Sequence, residues 1–239
     1  MPSIEAVVPP GCDRAGSPRG GWRRVGPHWL SLLLCCLMLP AWAAPAAPEE
    51  GFDYDVVQPR LNRVDSDGRV EVVEFLWYQC PHCYALTALI EPWARQQEAR
   101  VRFVRIHLAL NSAYAAQDRL YYALEEMGLV ERLHATVFQA IHEDRLPLKT
   151  LAQIGAFIGD EGIQRKRFEQ VMRSAKVRER IAHAREVASH YRIAEVPILL
   201  VDGRYLTSAG HVGGSQADAL AVVEWLVKRV EEESRAAGR

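Results

Sequence analysis

The chain has 239 residues, 49% of them apolar, with 29 Lys and Arg against 30 Asp and Glu for a formal net charge of −1. That length and apolar content are enough to bury an ordinary core in one or two domains. The balanced charge excludes the basic excess that marks nucleic acid as a partner, and no nucleic acid is expected.

In chain order, the first feature is at the N-terminus. Arg14, Arg19, Arg23 and Arg24 precede an apolar run from Trp29 to Leu39, which is followed by Pro40-Ala41-Trp42-Ala43-Ala44. A basic region, a short apolar run and an Ala-x-Ala exit read as a secretory signal peptide over residues 1–43, cleaved after Ala43. As a helix the run extends roughly 16 Å against about 30 Å of hydrocarbon, and Pro40 interrupts it, so an uncleaved anchor fits poorly. Leu33 and Leu34 stand where a lipidated Cys35 would need small residues. Cleavage removes Cys12, Cys35 and Cys36 and leaves Cys80 and Cys83 as the exported protein's cysteines. A bridge closing so short a loop contributes little as a staple, so the pair is read as chemistry.

After a Pro/Ala/Glu linker (44–51), Tyr54 to Gln58 can form a first strand, and Asp65-Ser66-Asp67-Gly68 is a turn signal. Val70 to Trp77 is a strongly apolar strand, Pro81 to Gln97 a helix that Pro92 is expected to kink, and Val101 to Leu108 a third strand. Strand, helix, strand implies a right-handed crossover and a parallel pair. From Ala113 to about Tyr191 the pattern is helical, with breaks near Gly128, Pro147, Gly159 to Gly162 and Ser174. Strands return at Ile198 to Val201 and Tyr205 to Thr207 around Asp202-Gly203, a hairpin. A last amphipathic helix starts at Ser215, with Leu220, Val223, Val227 and Val230 on one face and Ser215 with Asp218 as a capping pair. It is expected to fray from Glu231.

The run Gln79-Cys80-Pro81-His82-Cys83-Tyr84 lies where strand gives way to helix. Cys80 then falls at a helix N-terminus, facing the free N–H groups of the first turn, those of His82 and Cys83 included. A helix end contributes about 0.3 to 1 kcal/mol, and lowering a thiol pKa by several units takes more, at roughly 1.36 kcal/mol per unit. N–H to sulfur hydrogen bonds and the His82 imidazole are the candidates for the remainder. Cys83, one turn inward, is expected to be more buried and more protonated. A zinc site would need two further ligands from scattered histidines such as His107 or His211. Haem attachment needs His directly after the second cysteine, where Tyr84 stands. Glu74 alternates with Val70, Val72 and Leu76, a poor place for an unpaired carboxylate. His107, His134, His142, His183 and His190 read as ordinary core or surface histidines. Trp77, Tyr78 and Tyr84 flank the pair.

The strand ending in CPHCY, the later Val196-Pro197 opening a strand and the helical block between them resemble the DsbA family of thioredoxin-fold thiol oxidases of the bacterial periplasm. The resemblance covers most of residues 52–232. A lone Cys-x-x-Cys is a weak signal; joined to a downstream Val-Pro and a signal peptide it is specific. The fold class implied is α/β, a thioredoxin-like fold with an inserted all-helical domain. Residues 44–112 and 186–239 would form the discontinuous thioredoxin-like domain and 113–185 the insertion. The resemblance implies a redox-active disulfide between Cys80 and Cys83, with Cys80 as nucleophile and Cys83 as resolving thiol. It also implies a cis bond at Pro197, with the Val196 backbone pairing with substrate as an added strand. Pro81, Glu74 and Arg105 would tune the pair. The family more often carries Lys where Arg105 stands, and Arg does not give up a proton, which argues against a relay.

The function implied is donation of disulfides to unfolded or reduced exported proteins, with re-oxidation by a DsbB-like quinone-linked membrane oxidase. No metal and no dissociable cofactor is expected. A disulfide isomerase or reductase of the same fold is the first alternative, although the segment from Ala44 to about Gln58 leaves no room for a dimerisation domain. A periplasmic peptide-binding chaperone is the alternative from a different class.

Overall fold

The structure, a computed structural model, describes residues 47–57 and 67–238. The expected signal peptide, the end of the first strand at Gln58 and the Asp65-Ser66 half of the first turn lie outside those residues.

Among the described residues five strands form one sheet: β1 (Asp55–Val56), β2 (Val70–Leu76), β3 (Val101–His107), β4 (Ile198–Val201) and β5 (Tyr205–Thr207). Their order is β1-β5-β4-β2-β3, with β2 and β3 parallel and the other neighbours antiparallel. β2 reads Val-Glu-Val-Val-Glu-Phe-Leu and is buried along nearly its whole length, as expected of a central strand covered on both faces. β1 pairs with β5, which offers three residues, through Asp55 with Leu206 and Val56 with Tyr205. The β4–β5 hairpin turns at Asp202 (φ 52°) and Gly203 (φ 64°), a pair that the left-handed region tolerates.

One face of the sheet packs against α1 (Pro81–Gln96) and α7 (Gln216–Ala237). Val72, Val101, Leu199 and Val201 meet Leu86, Ile90, Val223, Leu226 and Val227 there. On the opposite side α2 (Ala115–Glu126) packs against β3; α3 (Val130–His142), α5 (Arg165–Met172) and α6 (Ala175–His190) pack against α2, and α4 (Leu151–Asp160) against α5. Val73, Phe75 and Leu200 join Leu120, Leu124, Val137, Phe138, Ile158 and Phe168 in that layer. Each such side chain contributes about 1.5 to 3 kcal/mol by leaving water. The helices end where the sequence signals: Gly128 (φ 67°) follows α2, Gly162 (φ 75°) follows α4, and the Ser174 hydroxyl accepts the Val177 N–H to start α6. α6 runs through residues 185 and 186 unbroken.

α7 does not fray from Glu231. It stays helical to Ala237 because Val230 is buried and two later carboxylates reach back to other elements. Glu231 takes both arms of Arg100 at 2.8 and 3.0 Å, and Glu233 takes Arg204 at 2.7 Å and Arg229 at 3.0 Å. At the far side, β3 is a sheet edge among the described residues. Two of its outward carbonyls are met by tyrosyl hydroxyls of α2, with Tyr121 donating to Arg105 at 3.3 Å and Tyr122 to His107 at 3.0 Å.

Candidate active site

β2 ends at Leu76, and the chain turns over Trp77-Tyr78-Gln79-Cys80, closed by the Cys80 N–H on the Trp77 carbonyl at 2.9 Å. Cys80 is the N-cap of α1, in extended backbone (φ −83°, ψ 117°), and Pro81 follows at the first helical position. Proline suits that position because its missing N–H would have had no helical partner. Capping residues usually present oxygen; here the Cys80 sulfur takes that place, accepting the Cys83 N–H at 3.4 Å. In its thiol form Cys80 donates to the Val196 carbonyl at 3.3 Å. Val196 precedes Pro197 through a cis peptide bond. The structure therefore brings Cys80, Cys83 and the Val196-Pro197 peptide together although 116 residues separate Cys80 from Val196. Both cysteines are free thiols, Cys80 8% and Cys83 0% exposed.

The two sulfurs differ in proton affinity. Cys80 is lowered to about 6, first by the Cys83 side chain sharing its hydrogen, then by the main-chain N–H groups of Cys83 and His82 and the His82 charge, against the effect of burial. Burial comes first in pushing Cys83 far above the ordinary thiol range, with the neighbouring Cys80 sulfur next. Such a pair offers a thiolate beside a leaving group that holds its proton. His82 itself is exposed at the helix start.

Glu74 and Arg105 are register partners on β2 and β3. The Glu74 carboxylate is 0% exposed, and its Oε2 lies 3.6 Å from Arg105 Nε. Neither Glu74 oxygen has a hydrogen-bond partner among the described residues. Arg105 turns its other nitrogens to Glu91 at 3.2 Å and Glu131 at 3.4 Å. Burial raises the Glu74 carboxyl to about 7, opposed by Arg105 and reinforced by Glu91 and Cys80.

Trp77 and Tyr84 are half-buried beside the pair. Trp77 Nε1 donates to Gln117 at 2.9 Å, and the Tyr84 hydroxyl donates to Glu143. Tyr78 is fully buried and reaches three histidines that the sequence marks only as ordinary. Its N–H donates to His107 Nε2 at 3.1 Å, its carbonyl accepts from His142 Nε2 at 2.9 Å, and its hydroxyl pairs with His134 Nδ1 at 3.1 Å. The one legible sign was positional: His107 closes β3 beside the end of β2, just where Tyr78 leaves the sheet. His183, by contrast, sits on the surface.

A mixed sheet with a cysteine capping the helix after its central strand, facing the peptide of a cis-proline, defines a thioredoxin-fold dithiol protein. The DSBA-like thioredoxin domain model matches residues 85–222, starting just past the cysteine pair. Full-length relatives carry the comparison across it. The thiol:disulfide interchange protein DsbA of Burkholderia cepacia is 32% identical over 206 residues, 85% of this chain and 97% of that protein. The DsbA of Bordetella pertussis is 34% identical over 185 residues, 77% of this chain and 88% of that protein. Among solved structures, Pseudomonas aeruginosa DsbA is similar with a TM-score of 0.73 and 29% identity, covering 80% of this chain and 97% of that one. The oxidoreductase DsbA of Xylella fastidiosa gives a TM-score of 0.72 at 28% identity, covering 78% and 100%. The chain belongs to the DSBA-like thioredoxin family.

Proposed function

We propose that this protein is a thiol:disulfide oxidoreductase of the periplasm that introduces disulfide bonds into exported proteins through Cys80 and Cys83. The observation that carries the reading is geometric: the Cys80 sulfur caps α1, accepting the Cys83 N–H at 3.4 Å, and faces the Val196 carbonyl at 3.3 Å; the unequal proton affinity of the two sulfurs, Cys80 lowered to about 6 and Cys83 raised, agrees with it. Whatever stabilises the Cys80 thiolate stabilises the reduced protein, so the disulfide form is the stronger oxidant.

The exchange runs in two displacements. A client thiolate attacks Cys80 of the Cys80–Cys83 disulfide; the sulfur–sulfur bond breaks, Cys83 leaves with the electron pair and takes up a proton. A second client thiolate then attacks the client sulfur of the mixed disulfide, and Cys80 leaves as a thiolate. The client loses two electrons and gains a disulfide; the enzyme is left as a dithiol. Val196 is read as the main-chain contact that pairs with the client strand, with Pro197 fixing that edge. Pro81 and His82 tune Cys80 at the helix start, and Glu74 with Arg105 tunes the pair from below. The helical segment 113–185 is read as an insertion that shapes the client groove over a thioredoxin-like domain made of 44–112 and 186–239. A DsbB-like, quinone-linked membrane oxidase would withdraw the two electrons again. Export through a signal peptide cleaved after Ala43 would bring the chain to that compartment, and N-terminal sequencing of the exported form tests it.

The reading is tested by equilibrating the mature protein against a glutathione series and counting free thiols by alkylation and mass. A disulfide already reduced by mildly reducing buffer establishes the donor. A disulfide that survives strongly reducing buffer assigns the chain to reductase chemistry instead. Cys80→Ser abolishes thiol–disulfide exchange in either case; a chaperone would keep its aggregation-suppressing action.

A further inference from the structure

Tyr78 occupies the second position of the turn that delivers Cys80 to its helix cap. The sheet no longer serves its peptide groups: the last ladder carbonyl of β2 is Leu76, which takes the Leu108 N–H at 2.8 Å. Two imidazoles from different elements take over instead. A main-chain N–H can only donate, so His107 Nε2, 3.1 Å from it, must present a lone pair. The remaining ring hydrogen then sits on Nδ1, 2.9 Å from Asp118 Oδ1. Asp118 is fixed in turn by the Ala109 N–H at 2.7 Å and by Arg185 at 3.3 Å. On the other side His142 Nε2–H donates to the Tyr78 carbonyl at 2.9 Å, and its ring lies parallel to Tyr84 of α1, 5.1 Å away with 6° between planes.

We propose that His107, Asp118 and His142 are positioning residues for the redox centre, holding both peptide groups of Tyr78 so that the turn presents Cys80 to the first N–H groups of α1. A hydrogen bond to sulfur weakens steeply as distance and angle degrade. Tilting the Trp77–Cys80 turn moves the sulfur away from the Cys83 N–H, 3.4 Å from it, and weakens the support of its thiolate. The three side chains belong to β3, α2 and α3, so the helical layer takes part in setting the reactivity of a cysteine carried by the opposite layer. The proposal rests on the reading of Cys80 as the reactive thiol. It goes beyond that reading by assigning part of the thiol's activation to residues that touch neither sulfur.

The test is a pH titration of the Cys80 thiolate absorbance together with the glutathione equilibrium, on the mature protein and three variants. His107→Phe keeps a buried ring and removes the acceptor; His107→Gln returns an acceptor at the end of the side chain; His142→Leu removes the donor on the other side. The expected result is a Cys80 titration moved upward in His107→Phe and His142→Leu, with reduction by glutathione about threefold less favourable. His107→Gln restores the wild-type titration. Folded His107→Phe and His142→Leu proteins that titrate as wild type overturn the proposal, and so does a shift that His107→Gln fails to rescue. If His107→Phe does not fold, His142→Leu decides alone. Failure of the parent reading looks different: the wild-type Cys80 then titrates as an ordinary thiol before any substitution is made.

Discussion

Glu74 and Arg105 face one another across adjacent strands with 3.6 Å between Oε2 and Nε, and neither atom makes a hydrogen bond among the described residues. This is attraction without the directional contacts that normally offset the removal of a charge from water. The guanidinium also serves Glu91 and Glu131, so Glu74 holds only part of it. Burial therefore dominates, and the Glu74 carboxyl rises to about 7.

The sign of the resulting pH dependence follows from that direction. A carboxyl whose folded pKa of about 7 lies above the ordinary value of 4.5 binds a proton on folding. Its contribution to stability is fully present below the unfolded value and is lost as pH rises through the folded one, on the order of 3 kcal/mol. Glu74→Gln removes that dependence. Urea unfolding at several pH values across this window is expected to show wild-type stability falling relative to the variant as pH rises. Parallel curves would mean that the carboxylate is better solvated than its burial implies.

Reduction of the pair is expected to raise the melting temperature, the reverse of an ordinary staple. The thiolate at Cys80 exists only in the reduced protein, and its support by the helix start is a stabilising interaction that the disulfide lacks. Because the folded value of about 6 lies below the ordinary thiol value of 9, this stability is present above 9 and is lost as pH falls through 6. The gap between the two forms should close in acid. Thermal melts of both redox forms, at alkaline and at acid pH, measure it.

His82→Ser should raise the Cys80 pKa modestly and make the disulfide correspondingly less oxidising. The change is limited because the main-chain N–H of residue 82 stays in place and only the imidazole charge is lost; of these two, the N–H has the larger influence on Cys80. An unchanged glutathione equilibrium would remove the imidazole from the mechanism.

Removing residues 231–239 should cost stability on the order of 1 kcal/mol, since solvent-facing pairs contribute modestly and the Arg100–Glu231 fork is the best formed of them. Chemical unfolding of the shortened chain checks this. A chain as stable as the full one would mark these pairs as ornament.

The sequence made some of these features visible and hid others for physical reasons. β2, α1 and the β4–β5 hairpin were legible because their signals are local: a β-branched run, a proline after the cap, an Asp-Gly turn. The place of the cysteine pair was legible because the strand and helix signals meet at Cys80, the N-cap of α1. The cis bond before Pro197 was not, since few X-Pro bonds are cis and only family resemblance raised it. The persistence of α7 past Glu231 depends on Arg100, 131 residues earlier, which no helical period reports. The three histidines around Tyr78 escaped because two of them bind main-chain groups, and main-chain groups leave no mark on composition.

The two tyrosyl hydroxyls of α2 on the carbonyls of Arg105 and His107 have a bearing on turnover. A catalyst of the proposed kind would constantly be offered the bare backbone of unfolded clients, and an open rim on its own sheet would be an adhesive template. With β3 blunted, a client gains little by docking along that rim. On the proposed reading its attachment would be concentrated at Cys80 and the Val196–Pro197 peptide beside it, where breaking one sulfur–sulfur bond would set it free.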